Sequence, residues 1–371
     1  MELDKIASAI NKTGFKLEYD IGAIIRNYGW HLISNRCYID DQAGTVREID
    51  LLAYRVSKVE DFSVYTVLII SCKKSEENYW SLLSRATEEK DPNYNWMPFK
   101  GWSNHPPLNY YLQKMTWAAS YHDKFSQKCP QIFSRPEVDV FAFQEIKKSN
   151  YTVQNDKNIF SSITSLMKAQ AYEMSLLEER NKTNKRIYQF NLISVIDSKI
   201  VRVHFDKNTT TTTEVDSEDY LCRYILNKKE EIARIKFVTA KCFESSLEHY
   251  TKLHTENVET FKEHYKKFFQ DAYREWSKAK LILPEFNKVI KPAIRYALYR
   301  ITGHFKDIAD VSITWDQDRD LLQIDIDHDD INIGIIKEIN KDDHLKSLAE
   351  KALKDAFKFN GKFEFDIGIP F

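Results

Sequence analysis

The feature that most constrains the fold is the stretch Val64–Cys72, VYTVLIISC, which runs directly into Lys73 and Lys74. A run of β-branched and aliphatic residues with no polar alternation reads as a strand buried on both faces. Its end then opens into a polar site. Alternation puts Ser71 and Lys73 on one face and Ile70 and Cys72 on the other. Upstream, Val46–Val56 (VREIDLLAYRV) reads as a second strand. There Glu48 and Asp50 share a face with Leu52, and Ile49, Leu51 and Ala53 take the opposite one. Two carboxylates facing a lysine from a neighbouring strand can hold a divalent metal and steady a phosphate.

The flanking chain gives this pair of strands a setting. Residues 2–29 read as helical, and Leu17, Ile21, Ile24, Ile25 and Tyr28 form an amphipathic stripe with Glu18 on its border. Gly29 is the expected stop. A first strand follows over Trp30–Ile39, then a turn at Asp40–Gly44. Residues 75–135 hold Trp80, Trp96, Trp102 and Trp117, with prolines at 92, 98, 106 and 107, and read as an irregular insertion with a helix over 112–125. After it come a strand at 138–143 and a helix through Ile159, Ile163, Leu166, Met167, Met174 and Leu177. A hairpin is expected over 187–196 and 200–205, turning at Asp197-Ser198-Lys199. The threonine run Thr209–Thr213 marks the expected domain boundary, as a solvated linker or an exposed strand. Beyond it the pattern gives a strand at 234–240, helices at about 245–280 and 285–302, strands at 311–315 and 321–327, and a helix at 342–358.

Composition narrows the function classes. A chain of 371 residues with 43% hydrophobic content, 22 Phe and 20 Tyr is folded and long enough for two domains. The 54 Lys+Arg against 55 Asp+Glu count mildly against a globally basic nucleic-acid binder, while a local basic cleft stays open. The five cysteines are scattered and form no CxxC pair, which suits free thiols in a reducing cytosol. The N-terminus lacks an apolar signal core, and no stretch approaches the ~18 apolar residues of a membrane helix. A cytoplasmic protein that binds no membrane is expected. Walker A and GxGxxG loops are absent, as is HExxH. His122 and His249 read as surface or packing residues. Asp325–Asp330 lacks the glycine and terminal glutamate of an EF-hand and reads as an exposed strand. The basic run Lys266, Lys267, Lys278, Lys280, Lys288, Lys291 and Arg295 reads as a solvated helix face, with contact to a duplex backbone as the sharper alternative.

The order is a helix with Glu18, a strand, a strand with Asp50, then a strand ending in Ser71-x-Lys73. It resembles the PD-(D/E)xK nuclease superfamily, and within it the Mrr-like and Holliday-junction-resolvase-like branch. The likeness rests on Leu17-Glu18-Tyr19 with Gly29-Trp30, on Arg47–Ala53 and on Leu68–Lys74. It spans roughly the first 75 residues; 138–205 is compatible with such a core, and 209–371 is not covered. The resemblance implies an α/β fold with a restriction-endonuclease-like core, a mixed sheet flanked by helices, over 1–208. An α+β accessory domain would follow over 209–371. It further implies a Mg²⁺- or Mn²⁺-dependent endonuclease that hydrolyses DNA phosphodiester bonds in restriction or anti-phage defence, with RNA left open as substrate. Asp50 would be the main metal ligand, Lys73 the catalytic lysine and Glu18 the supporting acid. Glu48 and the Cys72 carbonyl would complete the metal shell. A homo-oligomer or partner subunit is plausible, since two sites are needed to cut both strands together.

One residue departs from the family pattern. Ser71 stands where the superfamily has Asp or Glu, and a hydroxyl is a far weaker magnesium ligand than a carboxylate. Glu48 could replace it, or an acid from downstream could swing in: Glu76, Glu77, Glu88 or Glu89, with spacing favouring the last two. The alternative is a catalytically silent nuclease fold that keeps nucleic-acid binding or protein interaction. A third reading, an unrelated structural protein, places Asp50 and Lys73 far apart.

Overall fold

In the computed structural model of the chain, residues 2–40, 44–88, 95–304, 307–328 and 331–368 are described. Two compact units emerge: Met1–His105 with Leu112–Phe261, and Pro106–Tyr111 with Lys262–Phe371. In order, the elements up to the middle of the chain are α1 (Glu2–Asn11), α2 (Gly14–Asn27), β1 (His31–Ile39), β2 (Val46–Val59), β3 (Phe62–Lys74), β4 (Asn78–Ala86), β5 (Gly101–Ser103), α3 (Pro106–Leu112), α4 (Trp117–Lys128), α5 (Pro130–Phe133), β6 (Val138–Lys147), α6 (Lys157–Ser175) and α7 (Leu177–Arg180). There follow β7 (Lys185–Asp197), β8 (Ile200–Asp206), β9 (Thr209–Val215), β10 (Ser217–Leu226), β11 (Lys229–Thr239), α8 (Phe243–Asp271), α9 (Trp276–Thr302), β12 (Asp310–Asp316), β13 (Leu321–Asp327), α10 (Ile333–Ile339), α11 (Asp343–Phe357) and β14 (Phe363–Ile367). The protein is a mixed α/β structure whose sheets are flanked by helices.

The organising strand is β3. It pairs antiparallel with β2 and parallel with β7, so both of its edges are filled. Every residue from Thr66 to Cys72 is buried. One face packs on α2, whose Leu17, Ile21 and Ile25 are buried, and the other on α6 through Ile163 and Leu166. Burial on both faces is why the sequence shows no polar alternation here. Each such aliphatic side chain contributes about 1.5–3 kcal/mol when fully buried. Gly29, at φ +72°, takes the left-handed turn that ends α2 and feeds β1.

The large sheet runs β1-β2-β3-β7-β11-β10, with β5 also on β7; a second sheet runs β6-β4-β8-β9. Two expectations change as a result. Residues 75–135 are not irregular throughout, because Asn78–Ala86 is a strand paired with both β6 and β8. The expected hairpin over 187–205 is not one: β7 already has β3 on one side and β11 on the other, so β8 has no free edge beside it and joins β4 instead. The expected helix at 112–125 lies at Trp117–Lys128. Of the expected turn at 40–44, residues 41–43 fall outside the described part.

The threonine run is the exposed strand β9, paired antiparallel with β8. β-Branched side chains suit an edge strand as well as a loop, which is why composition alone pointed to a boundary there. The two units divide at Phe261/Lys262, inside the continuous helix α8. In the second unit, β12-β13-β14 form a three-stranded sheet, and α9 and α11 bury Phe286, Ile290, Leu353 and Phe357. Of its basic run, Lys278 is buried beside Asp271 and Glu275, Lys291 pairs with Asp310 and Arg295 with Asp307, while Lys266, Lys267, Lys280 and Lys288 are exposed. An exposed, partly ion-paired helix face accounts for the run except Lys278, which is buried. Asp325 lies on β13 and accepts a hydrogen bond from Thr314 Oγ1 at 2.6 Å, in keeping with a strand; Asp329 and Asp330 fall outside the described residues. Among the described residues no helix is long and apolar enough to cross a membrane.

A buried polar network fastens the first half of α8 to the central strands. Asn257, fully buried, accepts from Tyr121 Oη at 2.7 Å and donates to Thr66 Oγ1 at 3.0 Å and Gln189 Oε1 at 3.3 Å. His254 Nδ1 lies 3.1 Å from the same threonine hydroxyl. Removing Asn257 leaves the buried Tyr121 hydroxyl without its acceptor and takes one partner from Thr66 and from Gln189, which keep His254 and Asn191. Asn257→Ala should therefore cost about 2–3 kcal/mol in urea unfolding with an unchanged denaturant slope. A cost below about 0.5 kcal/mol would mean that the network adds nothing to stability.

Candidate active site

The end of β3 carries the site. Asp50 Oδ2 receives the Cys72 backbone N–H at 2.7 Å, the Ser71 hydroxyl at 3.1 Å and the Lys73 ammonium at 3.5 Å. Among the described residues, all hydrogen bonds to Asp50 go to this one oxygen. Sequence proximity on β3 delivers the three donors together, because Ser71, Cys72 and Lys73 are consecutive. Asp50 reaches them from β2, whose ladder with β3 is in register as far as Leu51↔Ile70. Asp50 and Lys73 are thus close together, not far apart as an unrelated structural protein would have them.

The alternation expected along β2 breaks at this point. Ile49 and Leu52 both belong to the hydrophobic cluster that includes Ile163 and Leu166 of α6, whereas strict alternation would separate them. Opposite the break, Asn35 of β1 takes φ +56°, and the Asn35/Asp50 position drops out of the β1–β2 ladder. A residue in the left-handed region reverses the pleat locally. The charges of Asp50 and Glu48 both act on Glu18 of α2, while the same two residues also border a hollow lined by Ser165 and Leu166 of α6. Asn35 also donates to Glu48 Oε1 at 2.5 Å. This asparagine was not singled out in the sequence; an Asn at a strand position, able to adopt φ above zero, was the available signal.

Glu18 closes the group. Its carboxyl is pushed up to about 7, first by burial, then by the charge of Asp50, with Glu48 adding to the rise and Lys73 opposing it. Three acids and one lysine thus share a half-buried corner that is short of positive charge. Burial and the same two acids, Asp50 and Glu18, hold the Cys72 thiol well above its ordinary value, so it is no nucleophile. It is the Cys72 amide that reaches Asp50, and this fixes the carboxylate's orientation.

The described downstream acids, Glu76, Glu77 and Glu88, do not join the corner. Glu76 pairs with Lys74 at 3.3 Å, Glu77 and Glu88 are exposed, and Glu89 is not among the described residues. Lys74 turns away from Asp50 toward Glu76, Asp197 and the Asn11 carbonyl. His122 is fully buried, packs against Phe133 and hydrogen-bonds the Pro98 carbonyl at 3.0 Å, as a packing residue does. Among the described residues no three His, Cys, Asp or Glu side chains form a ready metal cage. The hollow beside Asp50, about 10 Å³ and lined in part by Ser71, Ser165 and Leu166, is too small to enclose a ligand. Chemistry at this corner would take place on a substrate laid across it.

No protein-family model, curated protein or solved structure matches the chain.

The raised carboxyl has a sign that can be measured. Between about 4.5 and 7 the folded chain keeps a proton on Glu18 that the unfolded chain releases, so stability falls as pH rises through that window. Glu18→Gln should flatten this part of the stability–pH curve. In ¹³C spectra the Glu18 carboxyl should titrate near 7, and Asp50→Asn should lower its midpoint. A midpoint close to an ordinary glutamate, unchanged by Asp50→Asn, would show that the acids are not coupled.

Proposed function

We propose that this chain is a metal-dependent nuclease that hydrolyses DNA phosphodiester bonds, with a restriction-endonuclease-like core in its first unit. One observation carries the reading: Asp50, Ser71 and Lys73 converge at the end of the central strand, with Glu18 held near neutrality beside them. The resemblance in residue order and spacing over the first 75 residues supports it.

The residues fit a divalent cation in one specific respect. Glu18 retains a proton first because it is part-buried and then because Asp50 and, less, Glu48 add negative charge, and a cation would relieve that crowding. Mg²⁺ or Mn²⁺ takes oxygen ligands and keeps several waters, so few protein groups are needed. Asp50, Glu48 and Glu18 would hold it, with the Cys72 carbonyl as the backbone oxygen. A bound cation would offset the charge that builds on the attacked phosphate. Lys73 supplies a second positive charge at that phosphate and orients the attacking water. Ser71 does not replace the missing acid as a ligand; its hydroxyl donates to Asp50 and helps fix that carboxylate. Glu48 is then the acid that makes up the count. A restriction or anti-phage setting, a cytoplasmic location and a second copy or partner subunit to cut the other strand belong to the same reading.

A second reading is favoured by a different observation. With Ser71 in place of an acid and no ready cage of three ligands among the described residues, the fold could retain nucleic-acid binding or protein interaction without cleavage. Supercoiled plasmid separates the two. Wild type should nick and linearise it with Mg²⁺ or Mn²⁺ and stop with EDTA. Asp50→Ala and Lys73→Ala should each lower the rate by about 10²-fold or more. A gel shift without any cutting, in folded protein with either metal, would move the assignment to the silent binding module.

A further inference from the structure

A polar pocket of about 40 Å³ is lined from α4, β7, β10 and β11 and shares no residue with the hollow beside Asp50. A water needs roughly 10–15 Å³ of such space, so about three waters or one small oxyanion would fill it. Two of the lining side chains carry hydrogen-bonding atoms that no described residue satisfies. Arg234, nine-tenths buried, spends Nη2 on Asp219 Oδ2 at 2.8 Å and on the Ser134 carbonyl at 2.7 Å. Its Nε and Nη1 have no partner among the described residues. His122, fully buried, donates from Nε2 to the Pro98 carbonyl at 3.0 Å, because a carbonyl oxygen can only accept. Its Nδ1 is likewise without a partner among the described residues. The neighbouring amides do not share the need, since Gln189 and Asn191 bond each other.

The two side chains require opposite things. Arg234 offers donors, so it needs an acceptor. Burial first, and the charge of Arg234 in addition, push the His122 imidazole down to about 4, against the opposing Pro98 bond. The ring is therefore neutral, its Nδ1 is an acceptor, and it needs a donor. Charge favours an anion over water alone. Lys100, Arg234 and Lys236 line the pocket against one acid, Asp219, which both Arg234 and Lys236 engage. Lys100 has Glu231 as its partner, so one positive charge stays unmatched. Buried guanidinium N–H groups left unmet are costly, and an oxyanion meets them with charge-assisted bonds.

We propose that this pocket binds a small oxyanion that keeps one proton. Its oxygens accept from Arg234 Nε and Nη1, and its O–H donates to His122 Nδ1. Hydrogen phosphate and bicarbonate share that chemistry. The proposal concerns binding alone and stands without the nuclease reading, since it uses none of Glu18, Glu48, Asp50 and Lys73.

The test is titration calorimetry of the full chain with sodium phosphate, bicarbonate and sulfate at constant ionic strength and mildly alkaline pH. Hydrogen phosphate and sulfate then match in charge and shape and differ by the proton. Phosphate, bicarbonate or both should bind saturably at one site per chain, and the tighter of the two identifies the ion. Sulfate should bind at least about tenfold more weakly than phosphate or bicarbonate. His122→Phe, which keeps a ring in place and removes Nδ1, should abolish that preference. Arg234→Met should weaken every ion by about tenfold or more. Because Arg234 also engages Asp219, the selectivity change in His122→Phe is the readout that a purely structural role would not move. Water alone in the pocket predicts no saturable binding of any of the three ions, and that result overturns the proposal. So does sulfate bound as tightly as the protonated ions, or a preference that folded His122→Phe retains.

Discussion

One carboxylate oxygen joins the ends of the two strands on which the rest depends. Asp50 Oδ2 takes a backbone amide, a hydroxyl and an ammonium group from three successive residues of β3. Charge-assisted hydrogen bonds of this kind are stronger and more directional than neutral ones. They hold β2 against β3 beyond the last registered pair, Leu51↔Ile70. They also bring negative charge beside Glu18, which adds to the effect of burial in raising its carboxyl toward neutrality. Structure and electrostatics at the corner therefore have the same source.

The corner can exist only because β3 is anchored so firmly behind it. With both edges paired and both faces covered, the strand has no freedom to tilt, and its polar end emerges at a fixed place. The helices that cover it have separate roles: α2 supplies Glu18, and α6 buries the opposite face while Ser165 and Leu166 border the hollow beside Asp50. Edges already filled around β7 also send β8 into a second sheet, so the same crowding shapes the first unit at large.

What could be read in the sequence follows from which signals are local. The β3 strand, the amphipathic stripe of α2 and the proximity of Asp50 to Lys73 rest on short-range patterns, and the structure has all three. The face assignment on β2 failed because it assumed unbroken alternation, and the break lies at Asn35 on a different strand. The expected hairpin failed for a related reason: turn residues at Asp197-Ser198-Lys199 show that the chain turns, but not that the neighbouring edge is taken. β4 was hidden among tryptophans and prolines, since its pairing partners lie far along the chain. The division inside α8 leaves no mark in composition, because a helix continues through it. Ser71 was legible as a departure from the family pattern. That its hydroxyl would donate to Asp50 depended on the geometry.

The central claim is that Asp50 organises a corner whose missing positive charge is a divalent cation. Titration calorimetry with Mn²⁺, run in buffers of different ionisation enthalpy across neutral pH, tests it most directly. The account predicts saturable binding that weakens as pH falls below about 7, releases a proton from Glu18 and disappears in folded Asp50→Ala. Absence of binding, or binding that survives Asp50→Ala with no proton released, would contradict it.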